Sequence, residues 1–247
     1  MRGPAALGLA LLVLAGCATQ RGPDPWEHAN RRVFAFNEGF DRWVMDPLAD
    51  AWNFLLPHPV ETGIRNAMDN LAMPRIFLNH VLQGRPLDAG ADVARFLLNS
   101  TFGYGGLFDV ASDVGLPNDR ADFGQTLGAW GVPPGPFLTF PILGPFSLRD
   151  LGGFGVDAAS QPLSYLLPAA VAGTGITVVR VVNLRAYYDA EIDANRAEAL
   201  DYYVFVRDAY LQLRRRKVRE ACPRRHPELQ NDLYQDLYEL DDDDDQP

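Results

Sequence analysis

Between Phe123 and Leu148 lie 26 consecutive residues without a charge, and within them GVPPGPFLTFPILGPF, residues 131 to 146, carries five prolines and three glycines. No other stretch limits so strongly what the chain can become. Proline and glycine ordinarily mark exposed polar turns. Here they are interleaved with Phe137, Leu138, Phe140, Ile142, Leu143 and Phe146. Prolines remove the donors that a helix ladder needs, so a regular helix is excluded. What remains is an irregular, turn-rich path with the composition of a core.

The rest of the body reads as helices. Asp24-Pro25-Trp26-Glu27 predicts a helix start with Asp as cap and Pro in the first turn. Val33, Phe36, Phe40 and Trp43 then form one apolar stripe. Asp46-Pro47 repeats the start signal before Leu48, Trp52 and Leu55, and Val60, Ile64, Met68 and Leu71 make a third stripe. Pro74 is expected to open a fourth segment closed by Gly84, and a fifth helix is expected from about Pro86 to Thr101. Gly103-Tyr104-Gly105-Gly106 interrupts the helices, and Ser147-Leu148-Arg149-Asp150 reads as a capping box that restarts them. Residues 176 to 217 read as long helix with a break near Asp201, ending in the basic cluster Arg214 to Lys217 and Arg219. That cluster suits a helix C-terminus, and equally a contact with anionic headgroups. Each stripe fits either a protein core or a lipid interface, and periodicity alone does not separate the two.

The ends carry signals of another kind. Arg2 and the eleven-residue apolar run Ala5 to Ala15 have the form of a signal peptide. The run ends in Leu14-Ala15-Gly16-Cys17, which resembles the lipobox of bacterial lipoproteins. In that reading residues 1–16 are removed and Cys17 carries covalent lipid; cleavage after Ala18 is the alternative. Residues 17–222 form the folded domain, Cys222 is an incidental thiol, and residues 223–247, with aspartates at 241 to 245, form an acidic, disordered tail. A second uncharged run, Ala158 to Val179, has the length of a membrane span, but its prolines and glycines argue against a straight one.

Several chemistries find no support. The net charge of −10 argues against a nucleic-acid partner. Four scattered histidines offer no zinc spacing. No nucleophile elbow or phosphate-binding loop occurs, and the loose glycine pattern at residues 153 to 158 follows a helix start rather than a strand. No catalysis and no cofactor beyond the lipid on Cys17 is expected.

From about Asp24 to Arg215 the chain resembles the MlaA/VacJ family of outer-membrane lipoproteins. The matching segments are Asp24 to Glu27 with Asn30-Arg31 and Phe34 to Asn37, Asn66 to Asn70 leading to Pro74, and Asn79 with Leu82-Gln83-Gly84. Further on stand Arg95-Phe96, Leu98 to Thr101, Gly103, Gly106 to Asp109, Phe123 to Gly128 and Gly131-Val132. Gly135 to Phe137, Pro141 to Pro145, Arg149-Asp150, Tyr203, Arg207, Tyr210 and Gln212 complete the set.

The resemblance implies a mainly α, ring-like arrangement of amphipathic helices in the inner leaflet of the outer membrane, on its periplasmic face. It implies an amphiphilic channel that takes mislocalised phospholipid from the outer leaflet to a periplasmic carrier of the Mla type, beside a trimeric porin. A structural envelope lipoprotein without transport is the alternative. In this frame the uncharged stretch folds back as an irregular hairpin, with Gly131, Gly135, Pro136, Phe137, Pro141, Gly144 and Pro145, that lies against the channel or plugs the helical core. Asn66 and Asn70 shape the channel mouth or cap helices. Arg149 and Asp150 are channel-edge charges or serve in capping and ion pairing.

Overall fold

The uncharged stretch turns out to be one short helix followed by a true β-hairpin, around which the remaining helices are arranged. The computed structural model describes residues 24–161 and 175–222. The signal peptide, Cys17, most of the second uncharged run and the acidic tail therefore lie outside the described residues. Helix α1, Glu27–Phe40, passes through a π-helical turn, Asp41–Met45, directly into α2, Asp46–Leu55. Then come α3 (His58–Leu82), α4 (Pro86–Thr101), the short α5 (Val110–Asp113) and α6 (Phe123–Ala129). Strands β1 (Phe137–Phe140) and β2 (Gly144–Ser147) lead into α7, Leu148–Ala159. Helices α8 (Ile176–Tyr187), α9 (Asp189–Glu198) and α10 (Tyr202–Ala221) follow. Among the described residues no helix is long and apolar enough to cross a membrane.

The packing runs from element to neighbouring element and closes on itself. Helix α1 packs on β1, β2 packs on α7 and α10, and both of those helices pack on α6. Helix α6 meets α3, α3 meets α8, and α8 meets α2, which returns through the π turn to α1. Helix α4 packs against α3.

Four sequence expectations need correction. Asp24 does not cap α1, which starts without a side-chain cap; its carboxylate instead accepts from Asn30 Nδ2 at 2.8 Å and from the Tyr203 hydroxyl. Asp46-Pro47 does start α2, but Asp46 does not cap it: the π turn carries the backbone in without a break, and the Asp46 carboxylate is spent on Arg185 at 2.6 Å. Pro74 lies inside α3 rather than at a boundary. Its ring removes the donor for the Asn70 carbonyl, and burial of Ala72, Met73 and Ile76 holds the helix through that defect. Finally, residues 176 to 217 break twice, at Tyr188 and at Asp201, and Asp201 caps α10 by accepting from the Val204 N–H at 3.2 Å.

Other signals are met. Helix α4 has the expected bounds, Gly84 ends α3 in the left-handed region, and Ser147 Oγ accepts from the Asp150 N–H at 3.2 Å.

Candidate functional site

The hairpin is held by side chains along both edges. Asn30 and Asn37 are seven residues apart on α1, two helical turns, so they share a face. Asn30 donates to the Phe137 carbonyl at 3.0 Å and accepts from the Thr139 N–H at 2.9 Å. Asn37 donates to the Phe140 carbonyl at 2.9 Å and accepts from the Ile142 N–H at 2.8 Å. On the other edge the Ser147 N–H donates to the Tyr210 hydroxyl at 2.8 Å. An isolated two-stranded hairpin is marginal, and a free edge is a hazard; here amides and a phenol supply what further strands would. Because Thr139 turns its N–H to Asn30, its cross-strand partner Pro145 sits where the ladder needs no donor. That is why a proline-rich segment forms a regular hairpin rather than the irregular one expected.

The hairpin base is buried and its tip is not. Phe137 is 1% exposed and meets Tyr203 and Tyr210 edge-on. At the tip the Leu143 N–H reaches back to the Pro141 carbonyl at 2.8 Å across Ile142, whose φ is +68°. A β-branched residue in that region stores roughly 1–2 kcal/mol, and Ile142 and Leu143 are both exposed. Gly131, Gly135 and Gly144 also have positive φ. A Cβ on Gly135 would stand 3.1 Å from Leu148, whereas one on Gly131 would meet nothing.

Behind the hairpin lies a polar lattice. Asp150 accepts from Arg214 at 2.8 and 2.9 Å, from Tyr210 at 2.7 Å and from Arg149 at 2.9 Å. Arg214 also clasps Asp122, the residue that caps α6, at 2.6 and 2.9 Å. Burial alone would raise the Asp150 carboxyl, but the hydrogen bonds and charge of Arg214 override it and hold it at about 2. Of the two roles open to Arg149 and Asp150, the geometry gives capping and ion pairing: both are buried and engaged. A second layer joins Asn79, Thr126, Gln83 and Asp157. Thr126 donates to Asn79 at 2.8 Å, Asn79 to Asp157 at 3.1 Å, and Gln83 to Thr126 at 3.0 Å.

Asn66 and Asn70 lie several elements away from the hairpin, on one face of α3. With Asp69, Met73, Arg95, Asn99, Asp109 and Asn118 they line a polar cleft of about 210 Å³ open to solvent. Asn70 is buried and donates to Ser100 Oγ at 2.9 Å, while its Oδ1 has no partner. Gly106 packs so closely on Asn70 that a Cβ there would come within 2.5 Å. Neither asparagine caps a helix end, since both sit in the interior of α3.

Burial across the molecule is inverted. Among the described residues, of the seven largest fully buried side chains, Arg95, Phe137, Ile76, His80, Asn183, Thr126 and Ser147, only two are apolar. Meanwhile Trp43, Phe54 and Leu87 are 84%, 88% and 85% exposed, with Phe36, Leu48, Leu55, Phe102 and Phe108 also outside. The stripe residues Phe36, Trp43, Leu48, Leu55, Val60 and Leu87 thus face outward, while Asn30, Asn70, Asp92, Arg95, Asn99 and Asn183 face in. Residue periodicity marked the stripes but not their direction. The clamp and lattice residues Asn30, Asn37, Asn79, Asp122, Thr126, Asp157 and Arg214 escaped notice as site residues because each reads alone as an ordinary polar position; the seven-residue spacing of Asn30 and Asn37 amid aromatics was the one available signal.

The architecture is that of a mainly helical protein with a polar interior, an apolar exterior and a clamped hairpin. The chain belongs to the MlaA lipoprotein family, whose model matches residues 22–217. It is 36% identical over 217 residues to the intermembrane phospholipid transport system lipoprotein MlaA of Escherichia coli K12, covering 84% of this chain and 85% of that protein. The protein of the same description from Haemophilus influenzae is 34% identical over 233 residues, covering 86% of this chain and 89% of its own. A solved structure from work on the structural basis for maintenance of bacterial outer membrane lipid asymmetry matches with a TM-score of 0.70 and 36% identity. It covers 79% of this chain and 98% of that one.

Proposed function

We propose that this protein is an outer-membrane lipoprotein that removes mislocalised phospholipid from the outer leaflet and passes it to a periplasmic carrier, so maintaining lipid asymmetry. The observation that carries this reading is the inverted burial. A surface of Trp43, Phe54, Leu87 and their neighbours is at home among acyl chains, where charged groups are costly. The buried amides and ion pairs give a charged headgroup a polar environment inside the same molecule. Irregular or edge backbone at membrane depth is tolerated only where protein or water satisfies it. Asn30, Asn37 and Tyr210 do that for the hairpin.

In this reading Cys17 carries the lipid that anchors the chain to the inner leaflet on the periplasmic face. A carrier of the Mla type receives the phospholipid, and a trimeric porin stands beside the helices. Gly131, Gly135, Pro136, Phe137, Pro141, Gly144 and Pro145 place the hairpin next to the lipid path, and Asn66 and Asn70 stand at its mouth. No step in this transfer makes or breaks a covalent bond, so no catalytic group is assigned.

The test is deletion of the gene with measurement of outer-leaflet phospholipid. Accumulation there, reversed by the intact gene, is the expected result. Envelope fragility without accumulation would replace transport by a scaffolding role. Lysophospholipid produced by the purified protein would replace it by hydrolysis. Bulkier residues at Gly131 and Gly135 should impair the asymmetry at normal protein levels, and an unchanged lipid distribution would remove the hairpin from the path.

A further inference from the structure

The cleft on α3 has the chemistry of a headgroup site with a definite preference. Asn66, Asp69, Asn70 and Met73 fall at intervals of three, one and three residues, so they present one helical face to the cleft. Asn70 Oδ1 is a buried acceptor with no partner, and Arg95 Nε is a buried donor with none. The rest of the Arg95 guanidinium is committed to Asp109, Leu116 and Ser112. A buried polar atom left unpaired costs about 1–3 kcal/mol, and both orphans belong to residues that line the cleft. The charged lining residues are Asp69 and Asp109 against Arg95, a net of −1. Around Asp69 stand Arg120, ion-paired with it, and Arg65 and Arg180, whose charges also reach it. Burial still raises the Asp69 carboxyl above its ordinary range, despite those three arginines. The cleft lining is therefore rich in acceptors and negative, and three arginines stand around Asp69, one of its carboxylates.

We propose that this cleft receives the primary ammonium of an ethanolamine phospholipid headgroup at Asn70 Oδ1 and Asp69, while the arginines around Asp69 hold the adjoining phosphate. The inference rests on the transport reading above and adds a headgroup preference to it. The ammonium donates to the orphaned amide oxygen, and the phosphate lies outside the enclosed part, beside the arginines that surround Asp69. The enclosed part of the cleft takes a group about the size of one water molecule. A primary ammonium meets that limit, whereas a trimethylammonium does not and would find no aromatic cage. A phosphoglycerol head brings its negative charge without the compensating cation.

The experiment uses the full-length lipidated protein incubated with nanodiscs of equimolar ethanolamine, glycerol and choline phospholipids of identical acyl chains, followed by mass spectrometry of the lipid retained on repurification. The ethanolamine lipid should be enriched on the order of tenfold over the glycerol lipid, the size of one hydrogen bond to a charged group. Asp69→Asn should bring the ratio close to parity. Asn70→Asp, which keeps the size and adds charge, should raise it. Circular dichroism melts on each variant show whether a changed ratio reflects unfolding. Equal retention of the three lipids by the parent protein, or an unaltered ratio in folded Asp69→Asn, would overturn the headgroup assignment while leaving transport intact. Retention of no lipid at all would overturn both.

Discussion

The amide clamp on the hairpin is the sharpest place to perturb this molecule, because its two asparagines do similar chemistry in different surroundings. Asn30 is 3% exposed and serves three groups: the Phe137 carbonyl, the Thr139 N–H and Asp24. Asn30→Ala leaves a backbone donor and acceptor buried without partners. At about 1–3 kcal/mol for each orphaned group the loss is roughly 2–5 kcal/mol. At 2–4 °C per kcal/mol for a domain of this size, the unfolding temperature should fall by about 5–15 °C. Asn37 instead holds the tip, where Ile142 is exposed and water can replace the amide. Asn37→Ala should therefore cost about 1–2 kcal/mol, mostly by local opening.

Hydrogen exchange followed amide by amide separates the two cases. In Asn37→Ala the Ile142 amide should lose protection while Thr139 keeps it; in Asn30→Ala both should lose it. Asn30→Asp is a finer probe. It restores an acceptor for Thr139 but sets a carboxylate beside the Phe137 carbonyl and Asp24, so it should recover less than half of the loss. An Asn30→Ala protein melting within about 2 °C of the parent would refute the reasoning, since the orphaned groups would then cost less than one ordinary hydrogen bond.

Other outcomes follow from the lattice and the close helix crossings. Arg214→Met leaves the half-buried Asp122 without its cation and the buried Asp150 with Arg149 alone, and should cost about 2–4 kcal/mol in a denaturant titration at neutral pH. The Asp150 carboxyl is depressed to about 2, so its contribution is complete above the unfolded value near ~4 and is lost as pH falls from there toward 2. Stability of the parent should drop across that window, and Arg214→Met should drop less. His80 behaves in the opposite sense. Burial alone would lower its pKa, but Asp119 and Asp92, the latter at 2.6 Å, raise it to about 9. Its contribution is full below the unfolded value near ~6.5 and is lost as pH rises through 9, so His80→Gln should flatten the alkaline limb of a stability–pH curve. Gly153→Ala places a Cβ 2.3 Å from the Gly124 backbone nitrogen, where nothing can yield. It should reduce the folded yield sharply, whereas Gly131→Ala, with open space but a φ of +89°, should cost only about 1–2 kcal/mol in a thermal melt.

Much of this architecture was legible in the residues themselves. Helix α4 could be bounded from Pro86 and the spacing of Leu87, Ala91, Ala94 and Leu98, because those are local rules of backbone and period. Ser147 declared the start of α7 for the same reason. The lipobox-like ending at Cys17, the family motifs and the uncharged stretch were likewise visible without coordinates. Local rules failed where a distant partner competed for the same group. Asp24 and Asp46 read as caps, but Tyr203 and Arg185, distant in sequence, claimed their carboxylates. Pro74 read as a boundary, but burial on its flanks kept α3 whole.

By itself, then, the sequence determined the helical class, the segment, residues 131 to 146, that could not be a regular helix, and the existence of apolar stripes, since all of these depend on neighbours a few residues apart. Only the tertiary structure decided the direction in which the stripes face and which amides meet which backbone edge. A hydrophobic period is the same whether the solvent is water or lipid, and Asn30 and Thr139 are 109 residues apart. The sign of the burial, and the clamp that makes a proline-rich hairpin regular, exist only once the circuit of helices has closed.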